Sequence, residues 1–119
     1  MSVIMDDLRM QQRRVCAEHS AAFIESPDFV MSGFATGTAG LSPINGLRHA
    51  ATENTTGWYI WCGEQFSYEN DFFRAVHTVH IRDRYPEIAP LLALPPGYRF
   101  LTAGNFIDIW FDPALVATP

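Results

Sequence analysis

His77 and His80 stand three residues apart, and on a helix that spacing puts two imidazoles nearly on one face, where they could share a metal ion. Two ligands do not make a site. A third would have to come from His49, Asp71, Asp83 or Cys62, none at a recognisable ligand spacing, so packing or capping histidines are the favoured reading. Ser42, His49 and Asp108 supply the residue types of a nucleophile, a base and an orienter, but no GxSxG elbow surrounds Ser42. A Cys62–histidine pair has the same weakness, because a strand position between Trp61 and Gly63 more often buries an inert thiol. Gly37-Thr38-Ala39-Gly40 has the outline of a phosphate loop without its lysine; all eight basic residues are Arg. The absence of Lys also removes Schiff-base chemistry.

Glu64, Glu69 and Asp71 follow an aromatic run closely. Such carboxylates could act as a paired acid and base, or simply solvate a loop. A third reading makes them an acidic rim beside Tyr59 and Trp61, the mixture that protein interfaces use for steering and anchoring. That reading joins two otherwise separate features. The expected site is therefore a partner-binding surface of Tyr59, Trp61, Glu64, Glu69 and Asp71, with no catalytic residue, cofactor or metal. The alternatives are a small metal-dependent or hydrolytic enzyme built on His77, His80 and nearby carboxylates, and a self-associating adaptor in which the aromatic strand packs on a copy of itself.

Composition bounds the frame that must position these residues. A chain of 119 residues with 48% hydrophobic content can bury one core, which makes residues 1–119 a single domain in expectation. The net charge of −5 argues against nucleic acid and favours a basic protein partner. Cys16 and Cys62 lie in different expected elements without CxxC spacing, and free buried thiols follow. Asp6-Asp7 and Arg13-Arg14 interrupt the start in a way a secretory signal would not, and no apolar run nears the roughly 18 residues of a membrane span. A cytoplasmic location is expected.

Ile4, Leu8, Val15 and Ala22, with Met5, Cys16 and Phe23, recur near helical spacing and predict a helix from about Val3 to Ile24, within an N-terminal segment 1–25. Ser26-Pro27-Asp28 breaks it, and Phe29–Phe34 reads as a first strand. Residues 35–56 are rich in Gly, Ser, Thr and Pro, so regular structure there should be short; Leu47–Ala51 is a brief extended piece that places Arg48 and His49 on opposite sides. Gly57-Trp58-Tyr59-Ile60-Trp61-Cys62-Gly63 is the clearest strand, with Trp58, Ile60 and Cys62 on one face and Tyr59 and Trp61 on the other. Asn70 or Asp71 would cap a helix starting near Phe72 and ending before Pro86, which can itself open a short second helix through Leu92. Pro95-Pro96-Gly97 predicts a tight turn, and Tyr98–Leu101 with Phe106–Phe111 predicts a hairpin. The fold class is α+β: an N-terminal helix, a mostly antiparallel sheet of about four to five short strands, and one or two further helices packed on it.

Several of these short stretches have a familiar arrangement. Gly40-Leu41-Ser42-Pro43-Ile44 through Leu47-Arg48-His49, then Thr56-Gly57-Trp58 and Cys62-Gly63-Glu64, resemble the immunity protein 33 family of bacterial toxin systems. Tyr85-Pro86-Glu87-Ile88, Leu91-Leu92 and Leu94-Pro95-Pro96-Gly97 are similar to that family's stretch before its final strands. The resemblance covers about residues 35–112 and leaves the N-terminal helix outside it. Cys62 where Ser is common, and Ala51-Thr52 where an acidic residue and Pro often follow the Arg, are departures that suggest a divergent branch. The resemblance implies a cytoplasmic bacterial protein that binds and neutralises a cognate toxin, and it brings no catalytic residue with it.

Overall fold

The run without Gly or Pro forms helix α1 (Val3–Glu18) in a computed structural model that describes residues 3–117. The helix closes at Glu18, short of the expected Ile24. Ser20 takes a φ of 51° and the Ala21 N–H donates to the Cys16 carbonyl at 2.8 Å, a left-handed cap that satisfies the terminal carbonyls. The segment that follows is held by the Ile24 N–H on the Ala93 carbonyl.

Among the described residues six strands make one mixed sheet: β1 (Met31–Phe34), β2 (Ile44–Arg48), β3 (Thr55–Cys62), β4 (Arg74–His77), β5 (Tyr98–Ala103) and β6 (Phe106–Phe111), in the order β4-β1-β3-β2-β5-β6. Only β1–β3 is parallel; the other pairs are antiparallel. The fold is α+β as expected, with one strand more than the four to five expected. That strand is β4, which lies where a helix from Phe72 is expected. The helix, α2 (Thr78–Arg84), starts later. Phe73, Val76 and Val79 satisfy helical spacing locally, but Arg74–His77 gains a ladder against β1, and a non-local partner overrides local periodicity. The first N–H groups of α2 then donate to the carbonyls of Val30 and Asp28, and Asn70 and Asp71 stay in the preceding loop. An Arg82–Asp28 ion pair ties α2 to the turn before β1. Pro86 opens a 3-10 helix, Pro86–Leu91, and the turn before β5 places Gly97 at a φ of 99°.

Both faces of β3 are covered. Trp58, Ile60 and Cys62 pack with Phe34, Ile44 and Phe100 beneath Cys16, Ile81, Ile88 and Leu92, so α1, α2 and the 3-10 helix share one side. Trp61 packs with Ala35 and Leu47 on the other, under Phe72, Phe73 and Leu115. A chain of hydroxyls crosses the parallel strand pair. The Trp58 N–H donates to Thr56 Oγ1, and the Thr78 hydroxyl donates to the Val30 carbonyl at 2.7 Å. Those ends set the direction between them, from Thr56 to Ser32 (2.6 Å) and from Ser32 to Thr78 (2.7 Å).

Arg48 is 1% exposed and meets no carboxylate among the described residues. Its guanidinium donates to backbone carbonyls from three other segments: Nε to Thr56 of β3 at 2.9 Å, Nη1 to Ile24 and Leu94 at 2.8 Å each, and Nη2 to Glu25 at 3.3 Å. Its Cζ lies 5.5 Å from the Trp58 ring centre. Burial pushes the guanidinium down to about 10, which leaves it charged at neutral pH. A bulge makes the Thr56 contact possible: β1 advances from Met31 to Gly33 while β3 advances from Thr55 to Tyr59. Within the bulge Gly57 has a φ of 91°, and a Cβ there would stand 2.0 Å from the His49 carbonyl oxygen.

Two consequences can be measured by chemical denaturation. Arg48→Met should cost about 3–5 kcal/mol, because it strands several buried carbonyls, and Arg48→Lys should recover little because an ammonium cannot span the same fork. Gly57→Ala should cost at least about 2 kcal/mol through positive φ and the backbone clash together.

Candidate functional site

Gly63 ends β3 and sends the chain back across the face opposite the helices. Its N–H donates to the Pro43 carbonyl at 2.7 Å, and its carbonyl accepts from Asn45 Nδ2 at 2.8 Å. Residues 64–73 then fold over Trp61 and Tyr59. Within this loop the Phe72 N–H closes on the Glu69 carbonyl and the Glu69 N–H on Ser67 Oγ.

The loop is built on aromatic contacts. Trp61 is edge-on to Phe66 at 5.1 Å between ring centres, Tyr59 to Phe73 at 5.1 Å, and Phe72 to Phe73 at 4.8 Å. Tyr68 extends the stack outward, 4.7 Å from Phe66. Burial grades along it: Trp61 is 6% exposed, Tyr59 intermediate, Phe66 40% and Tyr68 93%. Trp61 and Tyr59 therefore form the floor of the stack, and Phe66 and Tyr68 form its exposed end. Glu64, Glu69 and Asp71 are all exposed around the stack, and none forms an ion pair among the described residues. A depression of about 330 Å³ lies on one side, lined by Leu41, Glu64, Phe66 and Phe72. Another of about 390 Å³ lies on the other, lined by Gly33, Asn54, Tyr59, Phe73 and Arg74.

Phe66 and Tyr68 are the residues missed by reading the strand alone. Their signal is the density of aromatics in Phe66, Tyr68, Phe72 and Phe73, which a merely solvated loop would not carry.

The other candidate groups do not converge. His77 closes β4 and is edge-on to Phe29 at 5.9 Å, and the exposed His80 sits on α2 with its ring 5.9 Å from that of His77. Among the described residues no three His, Cys, Asp or Glu side chains gather at metal-binding distance. Ser42 precedes β2 and His49 follows it, roughly 20 Å apart along an extended strand. Asp108 is on β6, two strands away from β2. His49 instead stands edge-on to Tyr59 at 5.6 Å, with Nδ1 3.2 Å from the Leu115 carbonyl. Cys62 is 1% exposed, and burial raises the Cys16 thiol, which donates to the Ala93 carbonyl.

The family model of the Imm33-like domain matches residues 11–112. The chain belongs to the Imm33-like family. The match begins inside α1, so the Imm33-like region takes in part of the N-terminal helix and exceeds the 35–112 stretch of the motif resemblance. No curated protein and no solved structure gives a significant match to this Imm33-like chain. None of its described helices is long and apolar enough to cross a membrane.

Thiol titration distinguishes buried cysteines from a reactive one. Neither Cys16 nor Cys62 of the folded Imm33-like chain should react with an aromatic disulfide reagent on the minute timescale, whereas both should react after unfolding in guanidinium chloride. Fast native labelling of Cys62 would restore it as a nucleophile candidate.

Proposed function

We propose that this Imm33-like chain acts in the bacterial cytoplasm as one binding domain that neutralises a cognate protein toxin by occupying its surface, with no catalytic step. The observation that carries the reading is the graded aromatic stack of residues 59–73, rigid at Trp61 and Tyr59 and open at Phe66 and Tyr68, with Glu64, Glu69 and Asp71 around it. Family membership supplies the class of partner. The stack supplies an anchor of the kind that dominates protein interfaces, because a ring already held by its neighbours loses little entropy on binding. The unpaired carboxylates would steer a basic surface toward it.

The test is co-expression with toxins encoded beside the gene, followed by calorimetry on any pair that survives. Tyr68→Ala should weaken binding by about 30-fold or more, the loss typical of a central aromatic anchor. Reversing Glu64 and Glu69 to Arg should slow association and flatten its salt dependence while leaving the fold unchanged. Neutralisation that survives all of these changes, or no neighbouring toxin that binds, would sink the proposal.

A further inference from the structure

β6 is an edge strand, and it carries the sequence of an interior one. Its residues Phe-Ile-Asp-Ile-Trp-Phe contain a single charge and no Pro, and pairing with β5 is unbroken from Phe106 to Phe111 without a bulge. Natural edges are normally blunted by Lys, Pro or bulges, and β6 has none of these. Phe106 is 58% exposed, Ile107 54%, Phe111 49% and Trp110 37%. Beyond β6 the chain turns over the face, where Leu115 packs beside Leu47 and Trp61, so among the described residues nothing pairs with the outer edge.

The backbone on that edge has a defined phase. The Asp112 N–H donates to the Gly97 carbonyl at 2.7 Å. In an antiparallel ladder alternate residues bond to alternate sides, so Trp110, Asp108 and Phe106 bond inward to β5. Ile107, Ile109 and Phe111 direct their N–H and C=O groups outward.

We propose that β6 pairs with β6 of a second copy, antiparallel about a two-fold axis through Ile109, joining two sheets into one. An axis normal to the sheet keeps every residue on its own face, so positions of like parity oppose each other. Centred on Ile109, Ile107 meets Phe111 of the copy, Ile109 meets Ile109, and all three outward-facing residues of each strand form hydrogen-bonded pairs. Asp108 then lies opposite Trp110. Centring on Asp108 instead would oppose two carboxylates at the closer, non-hydrogen-bonded spacing.

Self-pairing also closes, whereas joining β6 to the far edge, β4, would leave edges that propagate into filaments. The four exposed apolar side chains offer about 400 Å² per copy, which places the dimer among weak, transient associations. The expected self-association thus moves from β3, which is enclosed between β1 and β2, to β6. It is independent of the toxin reading, since β6 lies three strand spacings, roughly 14 Å, from β3.

Sedimentation of the full chain from about 1 µM to 1 mM tests this, and the average mass should climb from one chain toward two across that range. Ile107→Lys should keep the protein monomeric with an unchanged melting temperature, because its side chain is exposed in the single chain. Ile109→Cys should form an intermolecular disulfide under mild oxidation, and Asp108→Cys should not. The two native thiols are buried and give a low background. A wild-type chain that stays monomeric throughout, association that persists in Ile107→Lys, or cross-linking through position 108 in preference to 109 would overturn the proposal.

Discussion

One buried cation organises the chain. Arg48 sits at the end of β2 and donates to carbonyls of the segment after α1, of β3 and of the segment before β5, so elements distant in sequence share a single donor fork. Those carbonyls lie at the β3 bulge or outside any helix or strand and would be costly to bury without a partner. The guanidinium resolves that cost at several points at once, and carbonyls in place of a carboxylate let it do so without burying an anion. The α1 cap at Ser20, the β3 bulge at Gly57 and the turn before Gly97 are the backbone adjustments that bring those carbonyls to it.

The sheet is finished unevenly around that centre. Helices cover the face above β1, β3 and β2, and an aromatic loop covers β3 on the reverse. β5 and β6 extend beyond most of this cover, which leaves Phe106 and Trp110 exposed on one face of β6 and Ile107 and Phe111 on the other, while Ile109 packs partly on the core. The aromatic loop and the β6 edge are thus two separate places where the chain presents apolar surface to solvent. They differ in kind: the loop presents side chains on a rigid floor, and the edge presents backbone in a defined phase.

Much of the architecture was legible because local signals were strong. The aromatic run between Gly57 and Gly63 makes β3, the Pro95-Pro96-Gly97 turn leads into the final hairpin, and the faces of Trp58 and Tyr59 follow from alternation. The helix expected from Phe72 was misplaced because Val76 and Val79 satisfy helical spacing, while the gain from pairing Arg74–His77 with β1 comes from residues some forty positions upstream. The exposure of the candidate site was half legible. Glu64, Glu69 and Asp71 lie in one loop and stay exposed, whereas Trp61, read as a surface aromatic, is covered by Phe66 and Phe73 from that same loop.

The sequence by itself determined the fold class, the hydrophobic faces of the strands and the absence of Lys, because composition and alternation are properties of neighbouring residues. The family likeness was also carried by short motifs readable in order. Only the tertiary structure decided that Arg48 is the buried hub, that β3 is interior while β6 is an edge, and which aromatics reach the surface. Those outcomes depend on strand order and on where distant carbonyls and rings come to rest, which no local window of residues encodes.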